Sequence, residues 1–474
     1  MKTLRLASLS LAVAALLPSI TSCSSDPSPF DWTISTENST AKIQLRLNVE
    51  DTRAGELSTA EENKITKVTV HVFDEKGNLE VTKNATVTSG TNTVDLEVSN
   101  GLKSIYVVSA KSNVNPSVGI SLTEYENKTF NSSLSNIITE EDGFVMVGYS
   151  EEQQQVMITA SKDDLPASNI FNIKLVRLVA KAQVKNNSTV DGSAFGISFG
   201  AASFKAFQLS EKMRVKHNAS DVFDSYVDTN NNGTYDNYTL GVGEYLSAVS
   251  SDFSADGCAY MSENIVSKPL SGNTTFLGIR FATTPVKYYT YDTSNKSVKE
   301  STDTPVASTT YYAVGIQDKI NGMVDYALVP GSKNIITFKT EEDAQKYMTS
   351  LNNGDASAIT VSQTEKPMMA PSVEEEAGTA PEFEVITFDK GYAYYRVNIA
   401  HEDTSGDTPK QKKMVMRNRF YKVNINSVKS LGFSSDELLR PKNPEAVLDA
   451  EGHSWISASI SVEEWKEVKQ DVDL

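Results

Sequence analysis

The segment KIQLRLNV, residues 42–49, sets Ile43, Leu45, Leu47 and Val49 against Lys42, Gln44, Arg46 and Asn48 without a break. A period of two is that of a half-buried strand and excludes a helix over the same residues. The pattern recurs. Val68, Val70 and Val72 share a face in KITKVTVHVFDEKGNLE, where DEKGN supplies a turn. TNTVDLEV and SIYVVSA repeat it around a turn at Gly101, and FNIKLVRLVAKAQV (171–184) reads as a further pair of strands. Strands at roughly ten-residue spacing with turn signals between them predict a β-sandwich. A second run begins near residue 186, with TTFLGIRFA, TTYYAVGIQ, YAYYRVNIA and RFYKVNINSV as its clearest members.

The expected fold is therefore mostly β, with two tandem sandwich domains of transthyretin-like or Greek-key type over residues 54–185 and 186–450 and little helix. The best helix is TEEDAQKYMTSLNN (340–353), where Thr340 and Asp343 approximate a capping box and Gly354 follows the C-terminus. The Pro-rich acidic stretch 363–382 reads as a surface excursion, and about 340–382 as an insertion in the second domain.

The first residues read as a targeting segment. Lys2 and Arg5 precede the short apolar run LASLSLAVAALLP, and SITSC places Cys23 after small residues. This resembles a bacterial lipoprotein signal over residues 1–22, with Cys23 lipidated after cleavage; a plain secretory signal is the alternative. Residues 23–53 then form a propeptide that contains the strand at 42–49. Beyond Cys23 only Cys258 remains, so an intramolecular disulfide is not expected and Cys258 reads as a buried, inert thiol. A net charge of -17 argues against nucleic acid as a partner.

Candidate chemistry is sparse. His71, His217, His401 and His453 lack metal-ligand spacing. GISFG (196–200) matches a nucleophile-elbow pattern at Ser198, but the β-α alternation that motif needs is missing around it. Arg417 and Arg419 in MVMRNRFY read as structural. DTNNNGTYD (228–236) sets Asp228, Asn230, Asn232 and Asp236 at alternating positions with Gly233 at the bend, the pattern of a calcium loop. A closing Glu is missing, with Thr239 in its place, and an Asn-Gly hairpin turn would use the same residues.

Two features bear on function. The 42–49 strand runs directly into Thr52-Arg53-Ala54-Gly55, a polar segment with one basic residue that suits proteolysis between Arg53 and Ala54. Near the other end, Ile456, Ala458, Ile460 and Val462 alternate with Ser457, Ser459 and Ser461, matching the four apolar positions of the first strand. One reading makes residues 451–474 a terminal strand finishing its own sheet. The other makes them a donor strand. The 42–49 strand would complete the first sandwich until Arg53 is cut, and the C-terminal strand of another copy would then fill the vacated groove. On that reading the C-terminal strand of the uncut chain should be unplaced. Such head-to-tail contacts do not close and so extend a filament.

The chain resembles the Bacteroidales fimbrillins, the subunits of type V pili, and within them the major subunit of the short fimbriae. The resemblance is carried by the lipoprotein signal, the Arg53–Ala54 junction before ITKVTVHVFDEKGNL, IKLVRLVAKAQV, NTTFLGIRF, TYYAVGI and, most specifically, YYRVNIAHED followed by KKMVMRNRFYKVNINSVKSLG. It implies an outer-membrane lipoprotein precursor, an arginine-specific protease, assembly with copies of itself and with anchor and tip subunits, adhesion to host or bacterial surface ligands, and no enzyme activity. Rival roles are a membrane anchor, which should lack the Arg53 site; a tip subunit, which has no use for a C-terminal donor strand; and an outer-surface glycan-binding lipoprotein, which should gather exposed aromatic side chains on one face.

Overall fold

Alternation translates into strands throughout. The computed structural model describes residues 40–49 and 61–464 with internal breaks, the longest at 110–118, 217–237, 361–381 and 446–455. All of them belong to one compact unit, Ser39–Leu474. The fold is mostly β, as the periodicity predicts.

The first core lies inside a curled sheet. Its main strands are β1 (Thr40–Val49), β2 (Lys67–Phe73), β3 (Leu79–Thr86), β4 (Thr93–Ser99), β5 (Gly101–Ser109), β6 (Met146–Ser150) and β7 (Ile170–Arg177). Their order across the sheet is β3-β2-β5-β6-β7-β1-β4. The two ends approach one another: Ser99 N on β4 donates to Glu80 Oε1 on β3 at 2.8 Å, and Lys83 Nζ on β3 donates to the Asp95 carbonyl at 2.9 Å. Between β4 and β5 the chain crosses from one end of the sheet to its middle. Gly101 makes that possible with a φ of 110°, which side chains oppose.

The chain crosses from the first core into the second between adjacent residues, and Met213 and Val215 later return to the first. Val179 packs into the first core and Ala180, Ala182 and Val184 into the second. Two sheets enclose it. One contains β8 (Val179–Asn186), β10 (Ala259–Ser262), β15 (Arg419–Val428) and β16 (Ile456–Glu464), in the order β10-β8-β15-β16. The other contains β9 (Ile197–Phe207), β11 (Phe276–Pro285) and β14 (Tyr392–Asn398), adjacent in that order. A further sheet is built around β12 (Tyr311–Gln317) and β13 (Phe383–Phe388). Tyr311 and Ala313 of β12 face the second core, while Val314 faces a separate cluster beneath the helix Glu341–Asn352.

That helix forms where the sequence places it. Thr340 caps it, accepting from Asp343 N at 3.3 Å, and Gly354 follows at a φ of 73°. Ala344, Tyr347 and Leu351 lie on one face and are buried against Tyr289, Tyr291 and Phe338. The first part of the expected insertion is thus a core-forming element. The acidic stretch that follows lies outside the described residues.

Candidate functional site: an interior strand of the first sheet

β1 sits inside its sheet. On one side it pairs in parallel with β7, from Gln44 opposite Ile170 to Val49 opposite Leu175. On the other it pairs antiparallel with β4, from Thr40 opposite Ser99 to Arg46 opposite Thr93. Asn169 Nδ2 also donates to the Lys42 carbonyl at 3.1 Å. The inward side chains are Ala41, Ile43, Leu45, Leu47 and Val49, and Ile43 and Leu45 are 0% exposed. Sequence alternation gave four of these; Ala41 joins them. Burying the four larger ones is worth roughly 6–12 kcal/mol at about 1.5–3 kcal/mol each. Without β1 the first core would lie open along a trough, and both β4 and β7 would present unpaired backbone edges.

The next described element after β1, the 3-10 turn Glu61–Asn63, is fixed from both cores. Glu62 is 1% exposed and accepts from Lys181 Nζ at 3.0 and 2.9 Å through its two carboxylate oxygens, and from Tyr260 Oη at 2.9 Å. Arg177 Nε donates to the Glu62 carbonyl at 3.0 Å, one Nη donates to Asn418 Oδ1 at 2.9 Å, and the other donates to Asn63 Oδ1. Burial lowers the affinity of the Lys181 amine for its proton, and the Glu62 carboxylate opposes that shift. The segment before the turn holds the predicted cut; the segment after it is anchored. Sequence reasoning missed this cluster. Its one signal is that Arg177 and Lys181 interrupt the apolar run LVRLVAKAQV, which marks buried charges without naming their partner.

The C-terminal strand β16 is placed, contrary to the expectation for an uncut donor. It pairs antiparallel with β15, from Arg419 opposite Glu464 to Val428 opposite Ile456, with an irregularity between Ile425 and Ser427. Ile460 is partly buried against the second core. The physical reason is local: without β16, β15 would end its sheet with an exposed row of backbone donors and acceptors, and the following chain satisfies it. β16 nevertheless has one ladder partner where β1 has two.

Other sequence candidates resolve simply. Ser198 lies on β9 opposite Thr284, in regular sheet pairing instead of a strand-to-helix elbow. Arg417 does have an acidic partner that its sequence context did not suggest. Its Nε donates to Glu263 Oε2 at 2.9 Å, and its other nitrogens donate to the carbonyls of Val215 and Arg214. This is a buried structural tie. Cys258 is half-buried instead of fully buried, and the burial it has pushes its thiol up to about 12, in keeping with an inert cysteine. His71 packs edge-on to Tyr125 and His401 edge-on to Tyr421. Among the described residues no group of three or more His, Cys, Asp or Glu is arranged to hold a metal ion. Cys23, Arg53, Ala54 and the whole 228–236 loop, with Asp228, Asn230, Asn232 and Asp236, lie outside the described residues.

Two family models meet the chain where this geometry lies. Residues 41–195 match the major fimbrial subunit protein FimA, a span that starts inside β1 and ends just beyond β8. Residues 386–471 match the C-terminal part of the type IV major fimbrial subunit, fimbrillin, a span that contains β14, β15 and β16. Together they cover just over half of the chain. The chain belongs to the fimbrillin family. Its members are structural subunits of surface fimbriae, which assemble with other fimbrial components. Among solved structures, it is similar to a Parabacteroides distasonis protein assigned to cell adhesion, at 16% identity and a TM-score of 0.47 over 90% of this chain and 99% of that one. A fimbrilin from Porphyromonas gingivalis gives 16% identity and a TM-score of 0.44 over 91% and 99%. The tip fimbrial protein Mfa3 of that organism gives 15% and 0.38 over 90% and 100%. Comparison with curated proteins gave no match. With TM-scores below 0.5, these likenesses add nothing to the family assignment, which rests on the sequence matches.

Proposed function

We propose that this fimbrillin is a shaft subunit that polymerises by exchanging β1 for the C-terminal strand of another copy after cleavage at Arg53. One observation carries the reading: β1 fills an interior position, with backbone ladders on both edges and five buried side chains, and its only covalent continuation toward the rest of the fold is the segment that holds Arg53. Cutting that segment turns the strand into a separable ligand of the first core. The Glu62 cluster keeps the new chain start pinned, so the strand leaves alone.

The replacement must fit a period-two trough. Ile456, Ala458, Ile460 and Val462 supply that pattern. To donate, β16 gives up one ladder with β15 and gains two, with β4 and β7, together with apolar pockets. The exchange is downhill once β1 is gone and blocked while it is present. Lipidation at Cys23 would hold the precursor at the outer membrane until an arginine-specific protease acts, and the filament would grow outward from an anchor toward a tip. The test is to treat purified precursor with an arginine-specific protease and follow filament formation by electron microscopy. Filaments that form only after cutting, from subunits that start at Ala54, support the proposal; filaments from intact chains contradict it.

A further inference from the structure

The outer face of the β9-β11-β14 sheet, away from the β1 trough, carries a second arrangement. Ser203, Arg280 and Tyr394 stand in register on three neighbouring strands, alternating with the buried Phe204, Phe281 and Tyr395. The Arg280 guanidinium carbon lies 4.2 Å from the ring centre of Tyr245 and 4.5 Å from that of Tyr392, so the guanidinium packs against two tyrosine rings. Its Nε donates to Ser203 Oγ at 3.0 Å and its side chain is also hydrogen-bonded to Tyr394, which together fix its rotation. Lys205 adds a second cation beside the Tyr245 ring, 6.0 Å from its centre. Tyr245, Tyr392, Tyr394, Lys205 and Arg280 are all partly exposed. Among the described residues, no carboxylate pairs with Arg280. Asp436, beside the platform, accepts from Tyr245 Oη at 3.4 Å.

We propose that this platform binds a carboxylate-bearing sugar, with the acid on Arg280 and the ring on the flanking tyrosines. A guanidinium packed against two rings offers a ligand its edge, and the N–H groups there that Ser203 and Tyr394 leave over suit the oxygens of a carboxylate. Tyrosine joins an apolar ring face to a hydroxyl, which suits a pyranose with its C–H face on the ring and its hydroxyls toward phenol and ammonium groups. In a chain of net charge -17, Arg280 sets a cation at the centre of a half-exposed aromatic patch. An acidic peptide would use the arginine and leave the rings idle, so the sugar fits better. This reading is independent of strand exchange. If both hold, the site repeats along the filament, and weak single contacts gain strength through multivalency.

The test uses the purified full-length chain, titrated by NMR with sialyllactose, a glucuronate disaccharide and neutral lactose. At least one acidic sugar should bind about ten-fold or more tightly than lactose, the scale of a charge-assisted hydrogen bond. The preference identifies which acidic sugar it takes. The methyl ester of the bound sugar should lose that advantage, which tests the carboxylate contact without altering the protein. Arg280→Gln should reduce binding by the same factor, and Tyr392→Ala should weaken it while Tyr392→Phe retains most of it. Equal binding of acid, ester and lactose would overturn the proposal, as would binding of a short poly-aspartate peptide at equal strength, which would make the site a reader of acidic peptide.

Discussion

Leu45→Ala separates the state that contains β1 from the state that does not. Leu45 is 0% exposed, stands at the middle of β1, and lies opposite Phe171 on β7 and Val94 on β4. Truncating a fully buried leucine costs about 2–5 kcal/mol, because the apolar contact is lost and a cavity remains. The uncut precursor should therefore lose about 2–5 kcal/mol in denaturant unfolding of its first core. The filament should lose nothing, because β1 has left it. If strand departure limits assembly after cleavage, the same deficit should speed polymerisation by roughly 30-fold to several thousand-fold, at about 1.4 kcal/mol per factor of ten. The assay pairs urea unfolding of the precursor with urea disassembly of filaments, and adds light scattering after protease addition. Filaments weakened as much as the precursor would show that β1 stays in the polymer and would refute the reasoning.

The remaining predictions are briefer. Arg53→Ala should leave a monomeric precursor, and N-terminal sequencing of wild-type filaments should read from Ala54; normal filaments from the variant would contradict the assigned cut. Removing residues 455–474 should give a chain that folds, is cut, and stops growing ends when mixed with wild type; full-length filaments from it alone would exclude β16 as donor. Ile460→Asp should stall extension in the same way, because a carboxylate in an apolar pocket is costly. Glu62→Gln leaves Lys181 buried without its counter-charge, so the precursor should lose about 3–5 kcal/mol; unchanged unfolding would deny the cluster its anchoring role.

Much of this was legible because strands advertise themselves. Ile43, Leu45, Leu47 and Val49 announced a buried face through period two alone, and Thr340 and Gly354 bracketed the helix. Alternation is silent on which neighbour a strand chooses. FNIKLVRLVAKAQV reads as one strand pair, yet β7 serves the first core and β8 the second, since the chain changes cores between Val179 and Ala180. For the same reason the sequence allowed a terminal strand finishing its own sheet but did not name β15 as its partner: an open sheet edge is a property of the assembled fold. The Glu62–Lys181 and Arg417–Glu263 pairs join residues more than a hundred positions apart, a distance over which one sequence carries no pairing signal. Arg280 offered no cue of its own, because the tyrosines that flank it arrive from Tyr245 and from β14.

The central claim is that β16 leaves its own sheet edge for the β1 trough of a neighbour, and paired cysteines report its position directly. In the monomer Ser459 lies opposite Asn424 on β15, whereas in the trough it would take the place of Arg46, which lies opposite Thr93 on β4 on the outer face of the first sheet. Ser459→Cys would be combined with Asn424→Cys in one chain and with Thr93→Cys in another, both with Cys258→Ser, and each oxidised before and after protease-driven assembly. The account predicts an intrachain bond to position 424 in the precursor only, and a ladder of linked subunits through position 93 in the filament. A filament in which position 459 still links to 424, and never to 93, would contradict it.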